Sequence, residues 1–370
     1  MNILHIVNGN DYGGATTQVS ALIKAQNQNH RVFVVSIGSG RISTTCNELG
    51  IEVKVLNISI LQWLKFIRFI RNEFSDRWII HVHGLKPMLL AALAGLKKQT
   101  ITTIHSDYRY EYQTQWLKEK IALQIFKRTF SRISYFVTVS EQFKEVIIND
   151  GVNPERCTFI PNGLDTSLMD DKKQNPEFLK EAGINPENNL ILGLAARIHP
   201  VKGIDVVIEA ATLLKNEQIM IIVAGTGEKK LVDEYKQRVN ELSLSDKIIF
   251  IGFTEDIYSF YHSIDVNLLA SYSEGLSFSV LEAGYLKKPV VCTDVSGMKD
   301  LIDDGIQGVK VPVGDSEAFA AGIKKMAENE DLRKEYGQAL YRRIKDNYTS
   351  DVMAAKYENI YKKILTEIGA

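Results

Sequence analysis

The sequence predicts an α/β protein built from two doubly wound, parallel-sheet domains. Three observations carry this. Short apolar segments alternate with longer amphipathic ones from end to end, the pattern of successive parallel βα units. At 370 residues and 45% hydrophobic, the chain can fill two domains of roughly 150 residues with a core in each. A polar stretch from Asp165 to Asn189, rich in Asp, Lys, Asn and Pro, offers few core candidates and divides the pattern in two.

The strands follow from runs of β-branched and aliphatic residues bounded by polar or Gly turns. In the first half they are expected at residues 2–7, 31–37, 51–56, 78–83, 99–104, 134–140 and 157–160. In the second half they are expected at 189–196, 218–224, 247–252, 266–270, 289–293 and 308–313. The segment from Asn189 to Ala196 reads as a buried strand, and Gly203 opens a helix from Ile204 to Leu214. The stretch Asp165 to Asn189 reads as a linker with a short helix, placing a boundary near residues 163–175. Past about residue 315 the pattern is helical only, ending in a helix over Ser350 to Ile368. The expected division is an N-terminal domain at 1–165, a C-terminal domain at 166–345, and a final helical segment at 346–370.

Composition excludes several classes. The longest apolar run, Met88 to Leu96, is far shorter than the roughly 20 residues that span a bilayer, and the start is strand-like rather than leader-like, so a cytoplasmic protein is expected. Three cysteines, Cys46, Cys157 and Cys292, without metal-ligand spacing argue against a disulfide framework and structural zinc. The net charge of -1 is unevenly placed: residues 1–165 hold 19 basic and 13 acidic side chains, a balance of +6, leaving 25 against 32, or -7, for the rest. The first half is therefore expected to meet something anionic. Nucleic acid is a poor candidate, because no basic run is interleaved with stacking aromatics.

The run Ser273 to Ala283 carries the most chemistry. It lies between two strand-like segments, where a strand feeds a helix and open α/β sheets bind ligands. With Ser277 near the helix start, the N-H groups of Ser277, Phe278 and Ser279 suit a phosphate, with Glu274 before them and Glu282 a turn further in. Taken alone, the same spacing also fits a helix preceded by a surface acid. A second anion site is expected where the strand 189–196 ends in Arg197, Pro200, Lys202 and Gly203.

Together these features resemble the family 4 glycosyltransferases, nucleotide-sugar enzymes of the GT-B fold. The resemblance rests on Arg197 with Lys202-Gly203, the turn Gly225-Thr226-Gly227, Glu274-Gly275 with Glu282-Ala283, and Lys288-Pro289-Val290-Val291. In the first half it rests on Met1 to Ile6 running into Gly13-Gly14, on His81 and His83, on Thr103-Ile104-His105, and on Ile160 to Asp165. It spans nearly the whole chain. It implies two Rossmann-like domains facing across a cleft, the last helix returning to the first domain, and retention of anomeric configuration.

Carried over by motif, the resemblance implies that Arg197 and Lys202 clamp the donor diphosphate, Glu282 accepts from the ribose hydroxyls and Glu274 from those of the transferred sugar. Gly13, Gly14, Gly275, Leu276, Ser277, Phe278 and Gly225 would approach the donor through backbone, Gly252 and Phe253 would meet the base, and His105 would stand beside the sugar. His105 is followed by Ser106-Asp107 where the family often has glycine, and Lys288 stands where it often has glycine. His81 and His83 are expected to point to opposite faces of their strand in a structural role. With no Asp-x-Asp anywhere in the chain, no metal and no cofactor are expected.

The function expected is transfer of a hexosyl or N-acetylhexosaminyl group from a UDP-sugar, or second from GDP-mannose, to a cell-surface glycan or lipid-linked acceptor. The alternatives are a sugar-nucleotide epimerase of the same fold and a non-catalytic glycan- or nucleotide-binding module. A dinucleotide-dependent dehydrogenase is excluded, because residues 8–14 do not supply Gly-x-Gly-x-x-Gly. Two helical stretches, Trp63 to Arg71 with Lys65, Arg68 and Arg71, and Gln115 to Arg132 with Trp116, Lys118, Lys120, Lys127, Arg128 and Arg132, carry cations beside aromatics. They read either as solvated faces or as a face for the inner surface of the cell membrane.

Overall fold

The computed structural model describes residues 1–9, 14–56, 63–74, 78–95, 99–105, 127–169, 174–186 and 188–368. The chain forms two compact units, one of Met1–Gly163 with Thr349–Ala370 and one of Leu164–Tyr348.

The first unit is built on seven parallel strands: β1 (Asn2–Asn8), β2 (Arg31–Ile37), β3 (Glu52–Leu56), β4 (Trp78–His83), β5 (Thr100–Ile104), β6 (Tyr135–Thr138) and β7 (Cys157–Phe159). Their spatial order is β3-β2-β1-β4-β5-β6-β7. Strands β4 and β5 are buried at every position, as parallel strands covered on both faces must be. One face packs Phe66, Ile70, Phe74, Met88 and Phe136 against Leu4, Ile80 and Val82. On another cluster, the helix Ser350–Ile368 lays Met353, Tyr357, Tyr361 and Ile364 against Ala21, Leu22, Ile79 and Ile101. Gly163 permits this return: a Cβ there would lie 2.6 Å from the Thr349 carbonyl oxygen and 2.8 Å from the Met353 Cβ.

The second unit holds β8 (Leu190–Ala195), β9 (Ile219–Ala224), β10 (Ile248–Gly252), β11 (Val266–Leu269), β12 (Val290–Thr293) and β13 (Gly308–Val311), in the order β10-β9-β8-β11-β12-β13. Helices Ile204–Leu213 and Ser316–Glu328 cover one face through Val207, Ala211, Phe319 and Ile323. Phe260, Tyr261, Ile264 and Ala283 cover part of the other. All thirteen expected strands form, each ending within two residues of its expected bounds.

One expectation needs correcting. The stretch Asp165 to Asn189 contributes to the core of its unit: Met169, Phe178 and Ile184 are buried, the last two against Phe260 and Ile264. Its polar composition hides three apolar anchors spaced too widely to read as one element. In both sheets the strand order reverses at the first strand, β1 or β8, which opens a crevice at the carboxyl ends there.

Candidate active site

In the second unit the loop after β8 builds the site. The backbone continues to pair with the chain after β9, Ala196 N donating to Ala224 O at 3.0 Å and Ile198 N to Thr226 O at 2.8 Å. The His199 ring accepts from Val201 N at 3.3 Å, capping a single 3-10 turn over Pro200–Lys202. Gly203 then turns left-handed at φ 65, and a Cβ there would lie 2.0 Å from the Ala270 carbonyl oxygen. Only glycine lets the turn lie so close on the end of β11. Tyr272 N donates to Val201 O at 2.8 Å, tying the two loops together.

This brings Lys202 to Glu274. The ammonium donates to Glu274 Oε1, and Ser271 Oγ donates to the same oxygen at 2.9 Å. The two side chains keep only 22% and 14% of their exposure. An ammonium has three N-H donors, so a phosphate can share it with the carboxylate. The Glu274 carbonyl accepts from Gly297 N at 3.2 Å and Ser296 Oγ at 3.3 Å, which braces the loop against the segment after β12.

Ser277 stands at the N-cap of the helix Phe278–Tyr285 and makes no side-chain cap; its Oγ lies 2.9 Å from Ser279 Oγ. The first N-H groups of that helix carry its positive end. Glu282, one turn in, is held by the hydroxyl of Tyr261 from the helix Ile257–Ser263. Burial, then the Glu282 charge, pushes the Tyr261 phenol well above its ordinary value, so it stays a donor. Arg197 is exposed and lines a cavity with His199, Pro200, Thr226, Gly227 and Lys230. Gly225, at φ 138, abuts the Ala196 carbonyl oxygen, and Gly252, at φ 77, leads into Phe253, which is 71% exposed. Arg197, Lys202, Gly225, Gly252, Phe253, Glu274, Gly275, Leu276, Ser277, Phe278 and Glu282 thus stand at the carboxyl ends of β8, β9, β10 and β11 or in the loops and helical turns that follow them.

In the first unit, Gly14 opens the helix Gly14–Asn27 and is exposed, while Gly13 lies outside the described residues. His105 follows β5, half-buried. His81 and His83 do not point to opposite faces: residues two apart on a strand share a face, and their rings stack at 4.1 Å. His5, opposite His81 in the parallel register of β1 and β4, joins them. His5 Nε2 meets Gln26 Oε1 at 2.8 Å, His5 Nδ1 meets His83 Nε2 at 2.9 Å, and His83 Nδ1 meets His105 Nε2 at 3.3 Å. His81 bonds the Tyr361 hydroxyl and Thr103 Oγ1, both at 2.7 Å. Burial lowers His5 and His105 to about 4, and burial with neighbouring imidazoles holds His81 and His83 well below the usual range. All four are neutral at pH 7.

Among the described residues, His5, His81 and His83 are the group whose ligand atoms come closest to a metal constellation, within 4.8 Å of one another. Each of their ring nitrogens already has a hydrogen-bond partner and the rings stack, an arrangement that suits a polar network better than an ion.

Part of the cationic surface in this unit serves the fold. Arg71 Nε donates to Ala94 O at 2.6 Å and Arg132 to Ala92 O at 3.5 Å, at the carboxyl end of the helix Leu85–Ala94. Lys127 pairs with Asp150, and Arg68 and Arg128 are exposed. Trp116, Lys118 and Lys120 lie outside the described residues, as do the Trp63 and Lys65 side chains. Sequence reasoning missed Ser271, Gly297, Tyr261, His5 and Gln26. Ser296-Gly297 carries a turn signal that could have drawn notice, whereas the others carry none.

Comparison with known proteins agrees with this architecture. Residues 12–168 match the family described as Glycosyltransferase Family 4, and residues 175–343 match Glycosyl transferases group 1. The chain is 29% identical over 312 residues to the O-antigen biosynthesis glycosyltransferase WclY of Escherichia coli, covering 78% of this chain and 80% of that one. It is 28% identical over 194 residues to a Campylobacter jejuni enzyme named as an N-acetylgalactosaminyltransferase acting on a diphospho-undecaprenol-linked sugar, covering 52% and 50%. Among solved structures it resembles Anabaena HepE in complex with UDP, with a TM-score of 0.83 and 20% identity over 98% of this chain and 100% of that one. No helix among the described residues is long and apolar enough to cross a membrane. With both halves matched in order, the chain belongs to the family 4 glycosyltransferases, has their GT-B fold, and is a glycosyltransferase.

Proposed function

We propose that the protein transfers a hexosyl or N-acetylhexosaminyl group from a nucleotide diphosphate sugar to a cell-surface glycan or lipid-linked acceptor, with retention of configuration and without a metal. The observation that carries this reading is the Lys202–Glu274 pair beside the free end of helix Phe278–Tyr285, at the strand-order reversal of its sheet. Lys202 and Arg197 supply positive charge for a diphosphate, and the helix N-terminus supplies N-H donors. Glu274 accepts from hydroxyls of the transferred sugar and Glu282 from the ribose. The backbone around Gly225, Gly275, Leu276, Ser277 and Phe278 packs against the donor, and Gly252-Phe253 meets its base.

In the reaction the bond between the anomeric carbon and the diphosphate oxygen breaks, its electron pair leaving with the diphosphate. The acceptor hydroxyl oxygen bonds the anomeric carbon, and its proton passes to a leaving phosphate oxygen. Charge grows on the diphosphate as this occurs, so the two cations act more strongly in the transition state than before it. In the other unit, Gly13 and Gly14 are read as further backbone contacts and His105 as a sugar contact.

A UDP-sugar is the first choice of donor, supported by the UDP complex of HepE, and GDP-mannose the second. O-antigen synthesis by WclY and the undecaprenol-linked acceptor of the Campylobacter enzyme support a polysaccharide or lipid-linked acceptor. The exposed cations and the +6 balance of residues 1–165 support attachment to the anionic inner face of the cell membrane. Thermal-shift screening against nucleoside diphosphates and their sugars tests the donor reading. A ligand at 100 times its dissociation constant should stabilise by about 2.7 kcal/mol. Stabilisation by UDP and a UDP-sugar is expected, and none by any nucleotide would overturn it.

A further inference from the structure

We infer that Gln26, His5 and His83 form a directed hydrogen-bond relay that holds His105 as the Nε2-H tautomer and presents its Nδ1 as an acceptor to a hydroxyl of the transferred sugar. This rests on the sugar contact proposed above for His105, but the relay itself is a property of the unliganded fold.

The direction follows from the orientation of the Gln26 amide, whose oxygen faces His5 and whose nitrogen faces Tyr361, together with what each atom can donate. The Gln26 amide oxygen can only accept, so His5 Nε2, 2.8 Å away, carries the proton. A neutral imidazole has one N-H, which leaves His5 Nδ1 a bare acceptor. His83 Nε2, 2.9 Å from it, must therefore be the donor, and His83 Nδ1 becomes the acceptor in turn. The last link, 3.3 Å long, then takes its proton from His105 Nε2. The Gln26 nitrogen meanwhile donates to the Tyr361 hydroxyl at 3.0 Å, whose own proton goes to His81 Nδ1 and leaves His81 Nε2-H for Thr103. Read this way, each imidazole nitrogen of His5, His81 and His83 meets a partner of the opposite kind. The reversed amide would invert every proton in the relay.

The sequence places the relay where it can act. His5 and His83 sit on β1 and β4, the pair at the strand-order reversal of the first sheet, and His105 directly follows the neighbouring β5. Gln26 and Tyr361 come from helices that cover one face of that sheet, so the relay also fixes the C-terminal helix to the end of β5. His5, His83 and Gln26 act on the sugar only through His105 and are positioning residues. His105 is kept neutral and in one tautomer, and so serves as a hydrogen-bond acceptor and never as an acid.

The test uses full-length protein labelled with 15N at histidine, with the His105 signals assigned from a His105→Gln variant. The nitrogen shifts of a protonated and a bare ring position are well separated. In the wild type a protonated Nε2 and a bare Nδ1 at His105 are expected, unchanged between pH 8 and 6. The opposite tautomer, or a mixture of the two, would overturn the proposal whatever the donor proves to be. His83→Leu should yield a tautomer mixture at His105 and lower kcat/KM for the donor by about five- to tenfold, the weight of one hydrogen bond. His83→Asn, whose amide can still accept from His105 Nε2, should restore the single tautomer and most of the rate. Equal rates and an intact tautomer in His83→Leu would also sink the relay. A single wild-type tautomer that is lost in His83→Leu, with a rate indifferent to both variants, would keep the relay and remove its sugar contact.

Discussion

Gly297→Ala should disable the donor loop from outside it. A methyl group there would lie 1.8 Å from the Gly275 carbonyl oxygen, 2.2 Å from its carbon and 2.8 Å from Leu276 N. All three are backbone atoms, so no side chain can swing aside. Ordinary contact needs about 3.5 Å, and the Glu274–Leu276 loop must retreat by well over 1 Å. A displacement of about 1 Å at a site can cost 10²-fold in rate, or about 2.7 kcal/mol, while overpacking in a core costs about 1–3 kcal/mol of stability. Steady-state kinetics with the donor, UDP calorimetry and thermal unfolding together measure the outcome. The expected result is a folded protein with a slightly lowered melting point and about a hundredfold loss of kcat/KM. Gly275→Ala is the control: nothing lies within 4 Å of its built Cβ. It should leave the melting point unchanged yet weaken donor binding, because the open space is where the donor is placed. A Gly297→Ala enzyme with normal kinetics would refute the bracing role, and a Gly275→Ala enzyme with normal UDP affinity would move the donor elsewhere.

Lys202→Ala should lower kcat by two to three decades, since a unit-charge pair near 4 Å is worth roughly 4 kcal/mol at an effective dielectric near 20; near-normal turnover at saturating donor would remove Lys202 from the clamp. Tyr261→Phe deletes the hydroxyl that holds Glu282 and should raise the UDP dissociation constant by about fivefold to tenfold, with an unchanged constant freeing Glu282 of its ribose role. Stability should fall on acidification from pH 6.5 towards 4: the unfolded chain binds protons there that folded His5 and His105, lowered to about 4, refuse, at a cost of about 3 kcal/mol for each once pH 4 is passed. Melting temperatures recorded from pH 8 to 4, with His5→Gln to flatten the slope, check this, and a flat wild-type profile would contradict it. Turnover should survive excess chelator, because Arg197 and Lys202 supply the charge a metal would bring; loss in chelator that is restored by added metal would contradict this.

How much of this was legible before the fold depends on what each residue contacts. The strands were readable because burial on both faces selects continuous apolar runs, and β9 shows such a run directly. The positions of Arg197, Lys202, Glu274 and Glu282 were readable because strand ends follow once strands are known, and ligands gather at strand ends. Lys202 meeting Glu274 was not, since it depends on Gly203 lying against Ala270, a contact between two backbones. Gly297 against Gly275 is hidden for the same reason: a backbone contact selects only the absence of a Cβ, and glycine has other causes. The histidine relay was hidden differently. Its members lie on two adjacent strands, just past the end of a third and on one helix, and only the register that sets His5 beside His81 and His83 beside Thr103 brings them together. Spacing within one strand did hold part of the answer, because positions 81 and 83 must share a face. Reading that alternation correctly would have directed attention to a paired, inward-facing histidine surface and to the question of which polar groups could satisfy it.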